Sequence, residues 1–173
     1  MNKLKAQNLI RDIPDFPKQG IVFKDITPVL QNPEAFKEAV EKMTEVAEEL
    51  KPDVIVGIES RGFLFGTPMA ISLNVPFTVV RKLGKLPYDR ITEEYALEYG
   101  TNTVEIHTDA VKPGDKVVVV DDLLATGGTA AATARLVERL GGKVVGFIFL
   151  VELAFLPGRS TLIGYPVKSL IEY

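Results

Sequence analysis

Apolar residues fall along this chain in two periodicities. Unbroken, largely β-branched runs occur at Val54-Ile55-Val56-Gly57-Ile58, Phe77 to Val80, Val117 to Val120, Val144 to Val151 and Val167 to Ile171. Such runs predict strands buried on both faces, as in a parallel sheet. Helix-period stretches lie between them. Phe36, Val40, Met43, Ala47 and Leu50 recur at spacings of three and four, with charged residues filling the other face. Residues 33–50 therefore predict an amphipathic helix. Asn32-Pro33 supplies an N-cap followed by proline at the first helical position. Gly62 to Leu73 predicts a second helix, weakened by Gly66 and Pro68. Thr129 to Leu140 predicts a third, ended by Gly141-Gly142. Strands alternating with helices predict an α/β fold, a mostly parallel central sheet flanked by helices.

Two segments break the pattern. Pro14, Pro17, Gly20 and Pro28 exclude one long helix over residues 11–32. Residues 82–102 hold Gly84, Pro87 and Gly100 among charges and tyrosines, and predict a long excursion that carries function. Val104 to His107 predicts a strand of that excursion, and Lys112-Pro113-Gly114-Asp115 a turn before the Val117 strand. There is no internal repeat or low-complexity tract, so 173 residues predict a single domain, 1–173.

Composition narrows the function classes. Hydrophobic residues make up 46% and charged residues 25%, which is ordinary for a globular chain. A net charge of −3 with no Lys/Arg block argues against nucleic acid or an anionic membrane as partner. Zero cysteines exclude disulfides and thiolate metal sites and fit a reducing compartment. The start, Met-Asn-Lys-Leu-Lys-Ala-Gln, lacks the apolar core of a signal peptide, and no apolar run reaches membrane-spanning length. A cytoplasmic protein is expected.

The chemistry concentrates in Val117 to Thr129, V-V-V-V-D-D-L-L-A-T-G-G-T. Asp121 and Asp122 are expected at a strand's carboxyl end, where open α/β sheets bind ligands. Ala125-Thr126-Gly127-Gly128-Thr129 lets a ligand approach the backbone and directs N–H groups and hydroxyls from the start of a helix. That is an anion site. A phosphate on the loop and sugar hydroxyls on the acids form the expected joint occupant. The bland alternative is a buried strand ending in helix-capping residues. Glu59-Ser60-Arg61-Gly62 follows another strand, where Arg61 could hold pyrophosphate oxygens with its forked donors. Gly57 and Gly62 have P-loop spacing, but Phe63 stands where lysine is needed, so a Walker A site is rejected. A Walker B reading of the Val-rich run loses its support with it. Arg81, Lys82 and Lys85 surround Gly84 and could clamp a diphosphate. His107 is the single histidine, with no Ser, Cys or second His nearby, which argues against a triad or a zinc site.

The Val117 to Thr129 stretch resembles the 5-phosphoribosyl-1-pyrophosphate (PRPP) motif of type I phosphoribosyltransferases. Asp15-Phe16-Pro17, Gly20 to Pro28, Glu59 to Phe63, Arg81 to Pro87, Leu97 to Gly100 and Val151-Glu152-Leu153 extend the resemblance, in order, to the adenine phosphoribosyltransferase family over nearly the whole chain. The resemblance implies the type I fold with an N-terminal hood, residues 1–32, and a flexible loop, residues 82–102. It implies transfer of 5-phosphoribosyl from PRPP to N9 of adenine, giving AMP and pyrophosphate in purine salvage, with Mg²⁺ and a homodimer. By the same carry-over, Asp121 and Asp122 lie near the ribose hydroxyls. Ala125 to Thr129 hold the 5′-phosphate, and Arg61, Arg81, Lys82 and Lys85 handle pyrophosphate. Phe23 stacks on adenine while backbone groups of Val22 and Lys24 read its edge, Leu153 forms an apolar wall, and Glu98 acts near N7. Mg²⁺ is implied to bind mainly through PRPP, near Asp121 and Asp122. Lys24 stands where many relatives have Arg. The competing expectations are a phosphoribosyltransferase for hypoxanthine, guanine or xanthine, and a non-catalytic PRPP-sensing regulator.

Overall fold

The computed structural model describes residues 3–96 and 100–173. The chain forms two compact units, one running to Lys42 and the other starting at Met43.

The first unit opens with a single 3₁₀ turn, Lys5–Asn8. Two short strands follow, β1 (Arg11–Pro14) and β2 (Val22–Asp25), paired antiparallel with Ile13 opposite Phe23. Cross-strand ion pairs brace the ladder. Arg11 Nη2 lies 2.6 Å from Asp25 and Lys24 Nζ 2.6 Å from Asp12. The short helix α1 (Thr27–Leu30) takes Pro28 in its first turn, where a missing N–H costs nothing. Helix α2 (Pro33–Leu50), which begins in the first unit and ends in the second, starts as the residues predict, with the Ala35 N–H donating to Asn32 Oδ1 at 3.0 Å. Its buried stripe is shifted, however. Ala35, Ala39, Met43 and Ala47 are fully buried, whereas Phe36 and Val40 are only half-buried. Spacing alone favours the large side chains, but alanines permit the closest packing and so occupy the inward face.

The second unit holds a sheet built from β3 (Val54–Ile58), β4 (Phe77–Lys82), β5 (Arg90–Ala96), β6 (Thr101–His107), β7 (Lys116–Leu124), β8 (Lys143–Glu152) and β9 (Val167–Glu172). Their order is β5-β6-β4-β3-β7-β8-β9, parallel from β4 through β9 and antiparallel at β4-β6 and β5-β6. Helix α3 (Gly62–Leu73) closes over one face, where Phe63 meets Phe77 edge-to-face with centroids 6.1 Å apart. Helix α4 (Gly128–Arg139) shares the opposite core, in which Leu136 and Val137 join Val54, Val56, Val117 and Val119. The alternation of strand side chains between the two faces explains the continuous apolar runs.

One expectation needs correction. The excursion over residues 82–102 is more regular than its composition suggests, because β4 reaches Lys82 and β5 pairs along its length with β6. In β5, Ile91, Glu93 and Tyr95 turn inward while Arg90, Thr92 and Glu94 stay out of the core, an alternation hidden by its polar residues. Strand β7 runs on to Leu124, so Asp121 and Asp122 lie towards its carboxyl end, as expected.

Candidate active site

Strands β3 and β7 are parallel neighbours, with Gly57 opposite Val120. This register brings the β3 carboxyl end, Glu59 to Arg61, beside Asp121 and Asp122. Asp122 is 2% exposed, and Arg61 Nε donates to its Oδ2 at 2.5 Å. The close approach depends on Gly62, where a Cβ would come 2.5 Å from the Val120 carbonyl oxygen. Asp121 Oδ1 accepts the Asp122 N–H at 2.9 Å. Burial, and then the Asp122 carboxylate, push the Asp121 carboxyl well above its ordinary range. The pair thus joins one carboxylate already matched to a cation with one that takes up a proton or a cation readily.

Beyond Leu124 the chain turns through Ala125, Thr126 and Gly127 into α4. Gly127 has φ +81°, and a Cβ there would meet the Gly158 carbonyl oxygen at 2.7 Å, so glycine is required twice over. Gly158 begins α5 (Gly158–Thr161), whose Thr161 Oγ1 donates to the Thr126 carbonyl at 2.8 Å and braces the loop. No side chain caps α4. Its first N–H groups and the positive end of its dipole therefore face a cavity of about 90 Å³ lined by Asp121, Ala125, Thr126, Gly127, Gly128 and Thr129. Thr129 Oγ1 donates to the buried Tyr95 hydroxyl at 2.9 Å.

The cationic residues occupy the end of β4 and the turn after it. Arg81 Nε and Nη2 each donate to Glu59 at 3.2 Å, and the Lys82 N–H donates to the same carboxylate at 2.9 Å. Burial raises the Glu59 pKa, but Lys82, Arg81 and Lys85 outweigh it and leave the group below its usual range. Lys82 and Lys85 are exposed. Leu153 is 9% exposed and donates its N–H to the Leu124 carbonyl at 2.9 Å, which sets it beside the phosphate-type loop. Just before it, the buried Glu152 is held by the Arg159 guanidinium fork and by Ser169 Oγ at 2.5 Å. Val22, Phe23 and Lys24 lie on β2 in the first unit. Phe23 meets Phe16 edge-to-face at 5.2 Å, and Lys24 pairs with Asp12. Glu98 lies outside the described residues.

The match to the phosphoribosyl transferase domain family spans residues 25–159, which include Arg61, the cationic turn, both aspartates and the glycine loop. An adenine phosphoribosyltransferase of Carboxydothermus hydrogenoformans is 58% identical over 170 residues, covering 98% of this chain and all of that relative. The chain belongs to the adenine phosphoribosyltransferase family. Solved structures of the family agree. The enzyme of Thermoanaerobacter pseudethanolicus has a TM-score of 0.95 at 56% identity, with 98% of each chain covered. The enzyme of Saccharomyces cerevisiae, in complex with an imino-altritol bisphosphate and adenine, has a TM-score of 0.90 at 42% identity, with 96% of each chain covered. The domain match begins after Val22-Phe23-Lys24, and the full-length relatives extend beyond it.

Sequence reasoning passed over Glu59, Tyr95 and Glu105. Glu59 was legible as an acid at a strand end. Glu105 was not, because a charge between Val104 and Ile106 reads as the solvent face of an alternating strand, yet it is fully buried. His107, half-buried with its ring against Tyr88 at 5.9 Å, gathers no nucleophile or metal ligand set among the described residues.

Proposed function

We propose that this chain transfers the 5-phosphoribosyl group from PRPP to N9 of adenine, releasing pyrophosphate and AMP, as a cytoplasmic purine-salvage enzyme. The observation that carries the reading is the conjunction, at the carboxyl end of β7, of two carboxylates with an uncapped helix N-terminus, within a chain similar over its full length to adenine phosphoribosyltransferases. On this reading the 5′-phosphate sits on Ala125 to Thr129, and the ribose hydroxyls on Asp121 and Asp122. Arg61, Arg81, Lys82 and Lys85 face the diphosphate. The bond from C1 to the pyrophosphate oxygen breaks as N9 bonds to C1, and the imidazole proton of adenine is released to solvent. Positive charge develops on the sugar and negative charge on the leaving group, so cations and oriented donors stabilise the transition state without a protein nucleophile.

The first unit carries the base-reading residues. Val22 and Lys24, two apart on β2, direct their backbone groups to the same side, and Phe23 between them supplies an aromatic face. Leu153 is assigned to the apolar wall of the base pocket and Glu98 to N7. Residues 1–32 act as the hood and 82–102 as the loop of one phosphoribosyltransferase domain, 1–173.

Mg²⁺ fits this donor set as a substrate-borne ion. Among the described residues no group of three or more His, Cys, Asp or Glu could hold a metal, so Asp121 and Asp122 would share it with PRPP oxygens. When bound, it neutralises charge on the diphosphate. The homodimer is supported by the exposed apolar side chains Ile71 and Leu64 on α3. Among the described residues no helix is long and apolar enough to cross a membrane.

The deciding experiment is turnover with PRPP and Mg²⁺ against a panel of bases. Adenine presents a donor at C6 and an acceptor at N1, and hypoxanthine and guanine reverse both. A site built on backbone hydrogen bonds should therefore prefer adenine by ~10⁴-fold in kcat/KM. Comparable rates with hypoxanthine would move the chain to another base, and no turnover with any base would leave a PRPP-binding regulator.

A further inference from the structure

The end of β4 and the turn after it bear Arg81, Lys82 and Lys85, assigned to pyrophosphate, and a half-buried carboxylate, Glu59, and a buried one, Glu105, hold this segment from two sides. Glu59 takes the Arg81 fork and the Lys82 N–H. Glu105, on the middle of β6, is 0% exposed. Its Oε1 accepts the backbone N–H of Lys85 at 2.8 Å and of Leu86 at 2.6 Å. Its Oε2 lies 2.9 Å from Arg90 Nε. Burial raises the Glu105 pKa, but the N–H groups of Leu86, Gly84 and Lys85, with Arg90, overcome it and keep the carboxylate charged. The Leu83 N–H is tied to the Thr103 carbonyl at 3.1 Å.

These bonds constrain the backbone of the turn rather than its side chains. Lys82 and Lys85 stay exposed while the peptide carrying them is pinned to β6. A buried ion on two successive N–H groups is a strong constraint, because losing it leaves both donors unsatisfied. It also occupies the amides of Lys85 and Leu86, so an anion approaching this turn meets side-chain cations. A turn ordered before the ligand arrives removes part of the ordering cost of binding.

We propose that Glu105 is a positioning residue for pyrophosphate. It fixes the peptide at Lys85-Leu86 so that the Lys82 and Lys85 ammonium groups are presented to a diphosphate, and it does not touch the substrate itself. The proposal rests on the assignment of this turn to the diphosphate of PRPP.

The test uses inorganic pyrophosphate with Mg²⁺ as probe and AMP, which lacks a diphosphate, as internal control. Glu105→Gln keeps the shape of the side chain but removes its charge and sets an amide N–H₂ or a neutral oxygen against Arg90. Pyrophosphate affinity should fall about tenfold, the difference between charged and neutral hydrogen bonds at one site, and KM for PRPP should rise in step. AMP affinity should stay within about twofold. Glu105→Asp keeps the charge but withdraws the acceptor, and should show the same selective loss. It also serves if the Gln variant does not fold. A strut without a positioning role predicts either equal losses for pyrophosphate and AMP or no loss for either, and both results overturn the proposal. Lys82→Ala and Lys85→Ala separate the two assignments. If both leave pyrophosphate affinity unchanged, the turn is not the diphosphate site and the proposal falls with it. If they weaken it while Glu105→Gln does not, the turn stands and Glu105 is refuted alone.

Discussion

At the scale of single residues, Asp121 and Asp122 have the same side chain and different electrostatics. Asp122 is buried against Arg61 Nε, while Asp121 lacks so close a cation and is pushed up by burial and by its neighbour. On the proposed reading, removing the charge at Asp122 weakens its bond from Arg61 Nε and takes an anionic acceptor from the ribose. Hydrogen bonds to charged groups contribute about 1.5–3 kcal/mol, which is roughly 10- to 100-fold in affinity. Asp122→Asn is therefore expected to raise KM for PRPP by at least about tenfold. KM for adenine should change little, because the residues proposed to read the base (Val22, Phe23, Lys24, Glu98 and Leu153) do not include Asp122. Initial-rate kinetics with each substrate varied in turn check this, and equal rises in both KM values would remove Asp122 from the sugar site. The place of both acids near the end of a buried strand was legible from V-V-V-V-D-D alone. Their inequality was not, since it depends on Arg61, which is 61 residues away in sequence.

At the scale of elements, the β5-β6 hairpin is fastened to α4 by two unlike contacts. Glu93 accepts from Arg135 Nε at 2.6 Å and Arg139 Nη1 at 3.1 Å, in a largely exposed cluster. Tyr95 is 8% exposed, packs near Gly128 and accepts the Thr129 hydroxyl. Exposed ion pairs contribute about 0.2–1 kcal/mol each, whereas truncating a buried aromatic costs about 3–5 kcal/mol. Urea unfolding should then rank Tyr95→Ala well below Glu93→Ala in stability, with the latter within about 2 kcal/mol of the parent chain. A reversed order would mean that the charges, not the ring, hold the hairpin to the phosphate-type loop. This hairpin is also where sequence reading recovered least. Charge, glycine and proline marked residues 82–102 as irregular, but pairing with β6 supplies the hydrogen bonds that make residues 90–96 a strand. Pairing is a property of two segments and leaves little trace in either. Helix α3 shows a related override, since it runs unbroken through Gly66 and Pro68 where local preference weakens it.

For the whole molecule, depressed carboxylates tie stability to pH in one direction, opposed by Asp121, whose burial favours its protonated form as pH falls. Glu152 is held below its usual range chiefly by Arg159, and Glu59 and Glu105 by backbone N–H groups and Arg side chains that outweigh their burial. Asp25 is lowered to about 2 through hydrogen bonds from Thr27 and Arg11. Each binds protons more weakly folded than unfolded, so its stabilisation is present above its unfolded pKa and is lost as pH falls through the folded value. Tm should fall progressively from about pH 5 towards pH 2. Tyr165 acts at the other end. Its hydrogen bond to Glu138 raises it to about 12, so its contribution is intact below its unfolded value near 10 and is lost as pH rises through 12. A Tm flat from pH 5 to pH 2.5 would contradict the acid limb.

Periodicity and punctuation were enough to predict the α/β alternation, the buried strands, the α2 and α4 helices and the small-residue turn from β7 into α4. These features rest on local physics: side-chain alternation, helix caps, and the need for small residues where an anion meets backbone N–H groups. The tertiary structure alone decided the β5-β6-β4-β3-β7-β8-β9 order, the alanine stripe of α2, the partner of each aspartate and the burial of Glu105. Those features come from segments distant in sequence, where parallel pairing of β3 with β7 and antiparallel pairing of β4 with β6 determine which side chains meet. Glu105 shows the boundary most directly. Locally it is a polar residue in an alternating strand, and it becomes a buried anchor because the turn after β4 brings two backbone N–H groups to it and Arg90 brings a charge.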